Sequence, residues 1–191
     1  AQFPVKYAIR ETPVNFLDLW GLELKWKQGA GATSQDVEDA KKMAENIAAS
    51  NTTAGERWRE LEQSEKTVTI EVNTKRLNDA YPGNNEKLNP IEAIASVTGI
   101  GGDVYVRFDP TDNTPLKSDN VVGDAESTLA HEVSGHAYPM ANGNNPIFQK
   151  KRELEATSVE NEYRASKNID QRQKYGKWDV EQHPVPNPQT S

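Results

Sequence analysis

Residues 124–137 read Asp124-Ala125-Glu126-Ser127-Thr128-Leu129-Ala130-His131-Glu132-Val133-Ser134-Gly135-His136-Ala137. Asp124 is of the residue type that caps a helix by accepting a backbone N–H, and Leu129, Ala130 and Val133 supply apolar positions, so a helix over 125–136 is expected. Two of the chain's three histidines lie in it, with Glu132 directly after the first. Neutral imidazoles are good zinc ligands, and a carboxylate beside them can take a proton from a water at the ion. The pattern points to His131 and His136 as ligands of one ion and to Glu132 as general base. Their spacing is one residue too long for a regular helix. At about 100° per residue, positions i and i+4 lie about 40° apart around the axis, but i and i+5 about 140°. One ion can be shared only if a π-bulge or local unwinding absorbs the extra residue, and Ser134-Gly135 is where the backbone deforms most easily.

Two histidines and a water need a third protein ligand. Asn142-Gly143-Asn144-Asn145-Pro146 breaks the chain, and a long charged helix over 147–167 follows, carrying Glu153, Glu155 and Glu160. Glu153 and Glu160 are seven apart and share a face, whereas Glu155 lies on another. Periodicity leaves the three open, one to bind metal and another to steady a ligating histidine from behind. Tyr163 and Tyr175 are candidates for stabilising an oxyanion, by residue type alone.

Upstream, a helix over 34–49 is expected, capped by Ser34, with Val37, Ala40, Ala44, Ile47 and Ala48 on one face. A second helix over 56–63 carries Trp58 and Leu61. Thr67-Val68-Thr69-Ile70-Glu71-Val72 alternates with period two and is a strand. Residues 81–90 are a turn-rich loop, 91–97 a short apolar helix, Gly99-Ile100-Gly101-Gly102 a turn, and 103–108 a second strand ended by Asp109-Pro110. The fold class is α+β.

Composition narrows the function. Net charge is −7, from 22 basic and 29 acidic residues, with no basic block. Nucleic acid and anionic membranes both require a positive footprint, so neither is the expected partner. No apolar run approaches the ~20 residues that span a bilayer. There is no cysteine, which excludes disulfides, Cys-ligated zinc and thiol nucleophiles. The Ala-Gln-Phe-Pro start carries no signal-peptide pattern and is expected of a fragment. A hydrophobic fraction of 35% and a mean hydropathy of −0.84 imply that part of the length is linker, loop or tail. Residues 1–30 read as an irregular boundary segment with a joint at Gly29-Ala30-Gly31-Ala32, and 182–191 as a disordered proline-rich tail in which His183 is solvated. The Asn51-Thr52-Thr53 sequon is too common a pattern to use, and the four tryptophans read as packing residues.

Two stretches resemble known families. Pro13-Val14-Asn15-Phe16-Leu17-Asp18-Leu19-Trp20-Gly21-Leu22 is similar to the signature closing the core of Rhs/YD-repeat proteins, with Leu19 where a proline is commoner. In those bacterial proteins a variable C-terminal domain follows, frequently a toxin delivered to another cell. The six-residue histidine motif resembles the His-Glu-x-x-Gly-His of dipeptidyl peptidase III, a zinc peptidase with the same extra residue. From about 103 to 175 the order Phe108-Asp109-Pro110, Leu129-Ala130-His131-Glu132…His136-Ala137, Glu153-Leu154-Glu155-Ala156…Glu160-Asn161-Glu162-Tyr163-Arg164 resembles a zincin-like class of Rhs tips. That class has one residue fewer between its histidines. The resemblance implies Glu153 as third ligand, with Glu160 behind the site or as its substitute. It implies a zincin-like domain over 31–181, with a small sheet packed on the His-bearing helix. The expected activity is that of a zinc metallopeptidase, a toxin or effector tip hydrolysing amide bonds in a target-cell protein. The expected partners are a protein or peptide substrate and a cognate immunity protein, and the protein is expected to be secreted or delivered as part of a larger one. The rival expectations are an inactive zincin-like binding module and a toxin tip of other chemistry, such as a nuclease or deaminase.

Overall fold

Strand β2 (Val68–Val72) lies inside the sheet, its Val68, Ile70 and Val72 side chains buried in the core. The computed structural model describes residues 24–74, 95–100, 103–112, 121–144 and 148–185. Strand β1 (Leu24–Gln28) runs parallel to β2 on one side, and β4 (Asp103–Phe108) runs parallel to it on the other. Strand β3 (Ala95–Ile100) pairs antiparallel with β4, giving the order β1-β2-β4-β3. Parallel neighbours need a crossover, and helices α1 (Ser34–Ala49) and α2 (Thr53–Glu62) supply the one from β1 to β2. The chain is α+β, a mixture of helices and one small sheet, beside a two-stranded hairpin, β5 (Lys174–Tyr175) and β6 (Trp178–Asp179).

Sequence and local structure agree closely at the helix starts. Thr33, one residue before the expected cap, closes a reciprocal capping box with Asp36: Asp36 N–H donates to the Thr33 hydroxyl oxygen, and the Asp36 carboxylate accepts from Thr33 N–H. Thr52 caps α2 three residues earlier than expected, so the sequon-like Asn51-Thr52-Thr53 has a structural use. Ala40, Ala44 and Ile47 are buried, with Val37 and Ala48 packed at the core's edge.

The His-bearing helix is three pieces end to end. These are α3 (Ala125–Ala130), a π-helical segment over His131–Ala137, and α4 (Tyr138–Ala141). It packs on β3, β4 and α1, and Leu129, Val133 and Ala137 enter the same core as Ile70, Val106 and Phe108. Helix α5 (Gln149–Ser166) lies across the π-segment, α2 and α3. Among the described residues no helix is long and apolar enough to cross a membrane.

Three expectations change. Ala95–Ile100 is a strand, not the end of a helix over 91–97 followed by a turn at Gly99-Ile100, because pairing with β4 in the register Ala95↔Phe108 to Ile100↔Asp103 overrides a weak local preference. Residues 91–94 lie outside the described part. The boundary at residue 30 moves towards the N-terminus: Leu24–Gln28 pairs residue for residue with Val68–Val72, and Leu24 and Trp26 pack on the core. The Rhs-like stretch over 13–22 lies outside the described residues. Residues 182 and 183, placed in the tail by composition, are hydrogen-bonded. Gln171 Oε1 accepts from His183 N–H at 2.6 Å, Gln182 Nε2 donates to Arg172 O at 2.6 Å, and Ser158 Oγ lies 3.0 Å from His183 Nε2.

The place of β1 carries a prediction. A chain starting at Ala32 loses a strand and opens the β2 edge. Its loss in stability should be about 3 kcal/mol or more, from Leu24 and Trp26 at roughly 1.5 kcal/mol each. A urea melt of the shortened chain that matches the full one would show that β1 adds nothing to the fold.

Candidate metal centre

The π-segment performs the geometric correction that the histidine spacing demands. Its wider turn puts His131 Nε2 and His136 Nε2 3.2 Å apart, with the two rings edge to face. Glu153 comes from α5, its Oε2 3.3 Å from His136 Nε2 and 3.8 Å from His131 Nε2. His131, His136 and Glu153 thus form a group that could hold a metal ion. Glu155, open at the level of periodicity, is exposed and pairs with Lys151 at 3.6 Å, away from this group.

Gly135 is essential for closeness more than for flexibility. A Cβ there would sit 2.6 Å from Ala156 Cβ and 2.7 Å from Ala156 Cα. The π-segment and α5 therefore meet backbone to backbone, one turn from Glu153. Gly135→Ala should push α5 away, lowering stability by about 1–3 kcal/mol as overpacking does. It should also weaken any metal affinity, through the displaced Glu153. A variant with unchanged stability and affinity would mean that the two helices adjust without strain.

Behind His131 lies a buried ion network. Glu160 Oε2 lies 3.1 Å from His131 Nδ1, off the straight line of an ideal hydrogen bond, and 3.1 Å from Arg172 Nη1. Arg164 Nη1 approaches Glu160 Oε1 at 3.4 Å. Burial disfavours the Glu160 anion, but the His131 contact and the charges of Arg172, His131 and Arg164 outweigh it and hold its pKa below the usual carboxylate range. For His131 burial likewise disfavours the cation. The close contacts with Glu153 and Glu160, with the charges of Glu160 and Glu132, outweigh it and raise its pKa to about 9 in the metal-free protein. Glu153 is depressed well below its ordinary range, burial being overcome by His131 and His136.

Helix α5 also fixes what faces the site. Asn161 accepts from Arg172 N–H at 2.7 Å, donates to Arg172 O at 2.8 Å and donates to Glu181 O at 3.0 Å, pinning both ends of the β5–β6 hairpin. Gly176, at φ +58, turns that hairpin. Tyr175 is thereby laid parallel to the His131 ring at 6.0 Å, with Trp178 stacked on it at 6.4 Å and the Arg172 guanidinium over it at 4.9 Å. Burial and the neighbouring Glu153 and Glu132 push the Tyr175 pKa far up, so its hydroxyl stays protonated. Glu132 is half-buried, and its charge acts on both His131 and Tyr175.

The chain matches no family model, no curated protein and no solved structure. Of the residues singled out in the sequence, His131, His136 and Glu153 converge, Glu160 stands behind them, and Glu132 and Tyr175 lie at their side. Tyr163 does not join them, since its buried ring carries a hydroxyl that donates to the half-buried Glu126. His183 pairs with Ser158 instead. Sequence reading missed Arg172, Asn161 and the hairpin. Tyr175-Gly176-Lys177-Trp178, a Gly-containing turn between aromatics, was the available signal.

Proposed function

We propose that the protein is a zinc-dependent metallopeptidase with a zincin-like architecture. The observation that carries the reading is the set of three ligand-atom separations, 3.2, 3.3 and 3.8 Å. Ligands at ~2.0–2.1 Å from a tetrahedral ion are about 3.3–3.4 Å from one another, so these atoms are spaced like three corners of a zinc tetrahedron. Two imidazoles and one carboxylate are a donor set that suits zinc, and three protein ligands leave a fourth position for water or substrate.

Held by His131, His136 and Glu153, a zinc ion would lower the pKa of a water to near ~7 and polarise a carbonyl. The remaining work falls to the chain. Glu132, beside the site but outside the ligand group, takes the proton of the attacking water and delivers it to the leaving amine. Tyr175, protonated at any ordinary pH, offers its O–H to the oxygen on which charge develops. Glu160 orients His131 from the far ring nitrogen and favours the ring as ligand. The substrate is then a protein or peptide amide bond. A role as the toxin or effector tip of a secreted Rhs-type protein, with an immunity protein as second partner, rests on the sequence resemblance alone.

Zinc binding tests the reading. Purified protein should retain close to one zinc per chain after mild dialysis, and His131→Ala should lose it. Because zinc must displace the His131 proton, affinity should rise about tenfold per pH unit from pH 7 towards about 9 and then level off. Calorimetry in buffers of different ionisation enthalpy reads the released proton directly. A chain that retains no zinc and shows no rise in melting temperature when zinc is added would refute the proposal.

A further inference from the structure

The π-segment raises a question of hydrogen-bond accounting that its own backbone does not answer. In this wide turn the Tyr138 N–H donates to Val133 O, five residues back. By the same rule Ser134 O should receive the N–H of residue 139. That residue is Pro139, which has none. The carbonyl is instead met from another helix: Arg57 Nη1, on α2, donates to Ser134 O at 3.1 Å. The guanidinium also lies over the Tyr138 ring, 5.2 Å from its centre, and the Tyr138 hydroxyl donates to Glu60 one turn further along α2. Ser134 itself reaches back, its buried hydroxyl donating to Ala54 O at 2.9 Å. Helix α2 thus grips the π-segment at the residue midway between the two histidines.

We propose that Arg57 is a positioning residue for the metal centre. By taking the carbonyl that Pro139 leaves without a donor, it holds the five-residue turn that sets His136 beside His131. This rests on the metal-binding reading above. An ordinary i→i+4 helix would swing the two rings about 140° apart, so whatever stabilises the wide turn stabilises the ligand pair. A charged donor suits the task, because the carbonyl of the buried Ser134 would otherwise lose its bond altogether. Arg57 touches none of the three ligand atoms and is not a catalytic residue.

The test is a double-mutant cycle read on zinc affinity, with Pro139→Ala as the second substitution. Arg57→Met keeps the packing stem and removes the donor, and should weaken zinc binding roughly 10–100-fold, as loss of an outer support does. Pro139→Ala returns an N–H that can reach Ser134 O within the helix, so the loss from Arg57→Met should shrink to a few-fold in that background. Cobalt in place of zinc gives a second readout, its visible absorption falling in Arg57→Met and recovering in the double variant. Arg59→Met serves as control: Arg59, also on α2, donates from Nη1 to Ala48 O and Ser50 O at the end of α1, so its loss should lower stability and leave zinc affinity alone. An Arg57→Met affinity equal to the parent's, or a loss undiminished by Pro139→Ala, overturns the proposal. If Arg57→Met does not fold, the double variant must fold and bind zinc, and its failure to do so overturns the proposal equally. A parent chain that binds no zinc removes the metal reading itself and this proposal with it. Zinc binding that survives in the parent but is indifferent to Arg57 removes only the latter.

Discussion

Glu160→Gln should lower the stability of the fold by about 3–5 kcal/mol, the range seen when one partner of a buried ion pair is removed. Glutamine keeps the shape and loses only the charge, leaving the Arg164 and Arg172 side chains, 2% and 8% exposed, without their counter-ion. The pH profile gives the same answer with a definite sign. Glu160's folded pKa is depressed from 4.5, so its contribution is present above that value and lost as pH falls through the folded pKa. His131's is raised from 6.5 to about 9, so its contribution in the metal-free protein is present below 6.5 and lost as pH rises through about 9. Removing the Glu160 charge should flatten both limbs of the stability curve. Urea melts with an unchanged slope across that pH range measure this directly. A variant as stable as the parent at pH 7 would show that the arginines find solvent or other partners at no cost.

Glu132→Gln carries the largest expected effect on activity. Under the proposed mechanism the substitution removes the proton carrier and none of the three ligands. Hydrolysis should fall by roughly 10²–10⁴, as loss of general acid–base catalysis does, while zinc content and melting temperature stay at the parent's level. Mass spectrometry of a mixed peptide library incubated with parent and variant measures the ratio of cleavage rates. If Glu132→Gln loses zinc as readily as His131→Ala, the residue is a ligand or a ligand's support, and the base must be sought elsewhere. Cleavage undiminished in Glu132→Gln would likewise remove it from the chemistry.

Much of the site was legible in residue order. His131, Glu132 and His136 within six residues point to a candidate metal site because imidazole nitrogens are strong zinc ligands. The five-residue interval required a widened turn as a matter of helix geometry, and the π-segment over His131–Ala137 is that turn. The α1 and α2 helices, β2 and β4 were legible too, from periodicity and turn residues that act over a few positions. Which glutamate completes the group was not legible in periodicity, which left Glu153, Glu155 and Glu160 open. The crossing of α5 over the π-segment at Gly135 and Ala156 decides it, aiming Glu153 and Glu160 inward and leaving Glu155 exposed beside Lys151.

The remaining differences share a physical cause. Strand β1 carries exposed Lys25, Lys27 and Gln28 and shows little apolar signal of its own, and it is a strand because β2 offers it a parallel edge. Strand β3 is settled by pairing with β4, although Gly101-Gly102 between Ile100 and Asp103 was a hairpin cue in the sequence. The β5–β6 hairpin is held by Asn161, eleven residues from Arg172, and its Tyr175 meets His131 from 44 positions away. Arg57 reaches Ser134 across 77. Local spacing marked His131 and His136 as residues that could hold a metal ion, and required the helix beneath them to deform. Contacts between distant segments, whose energy no local pattern encodes, decided which carboxylate joins them, what orients His131 and what holds the deformation in place.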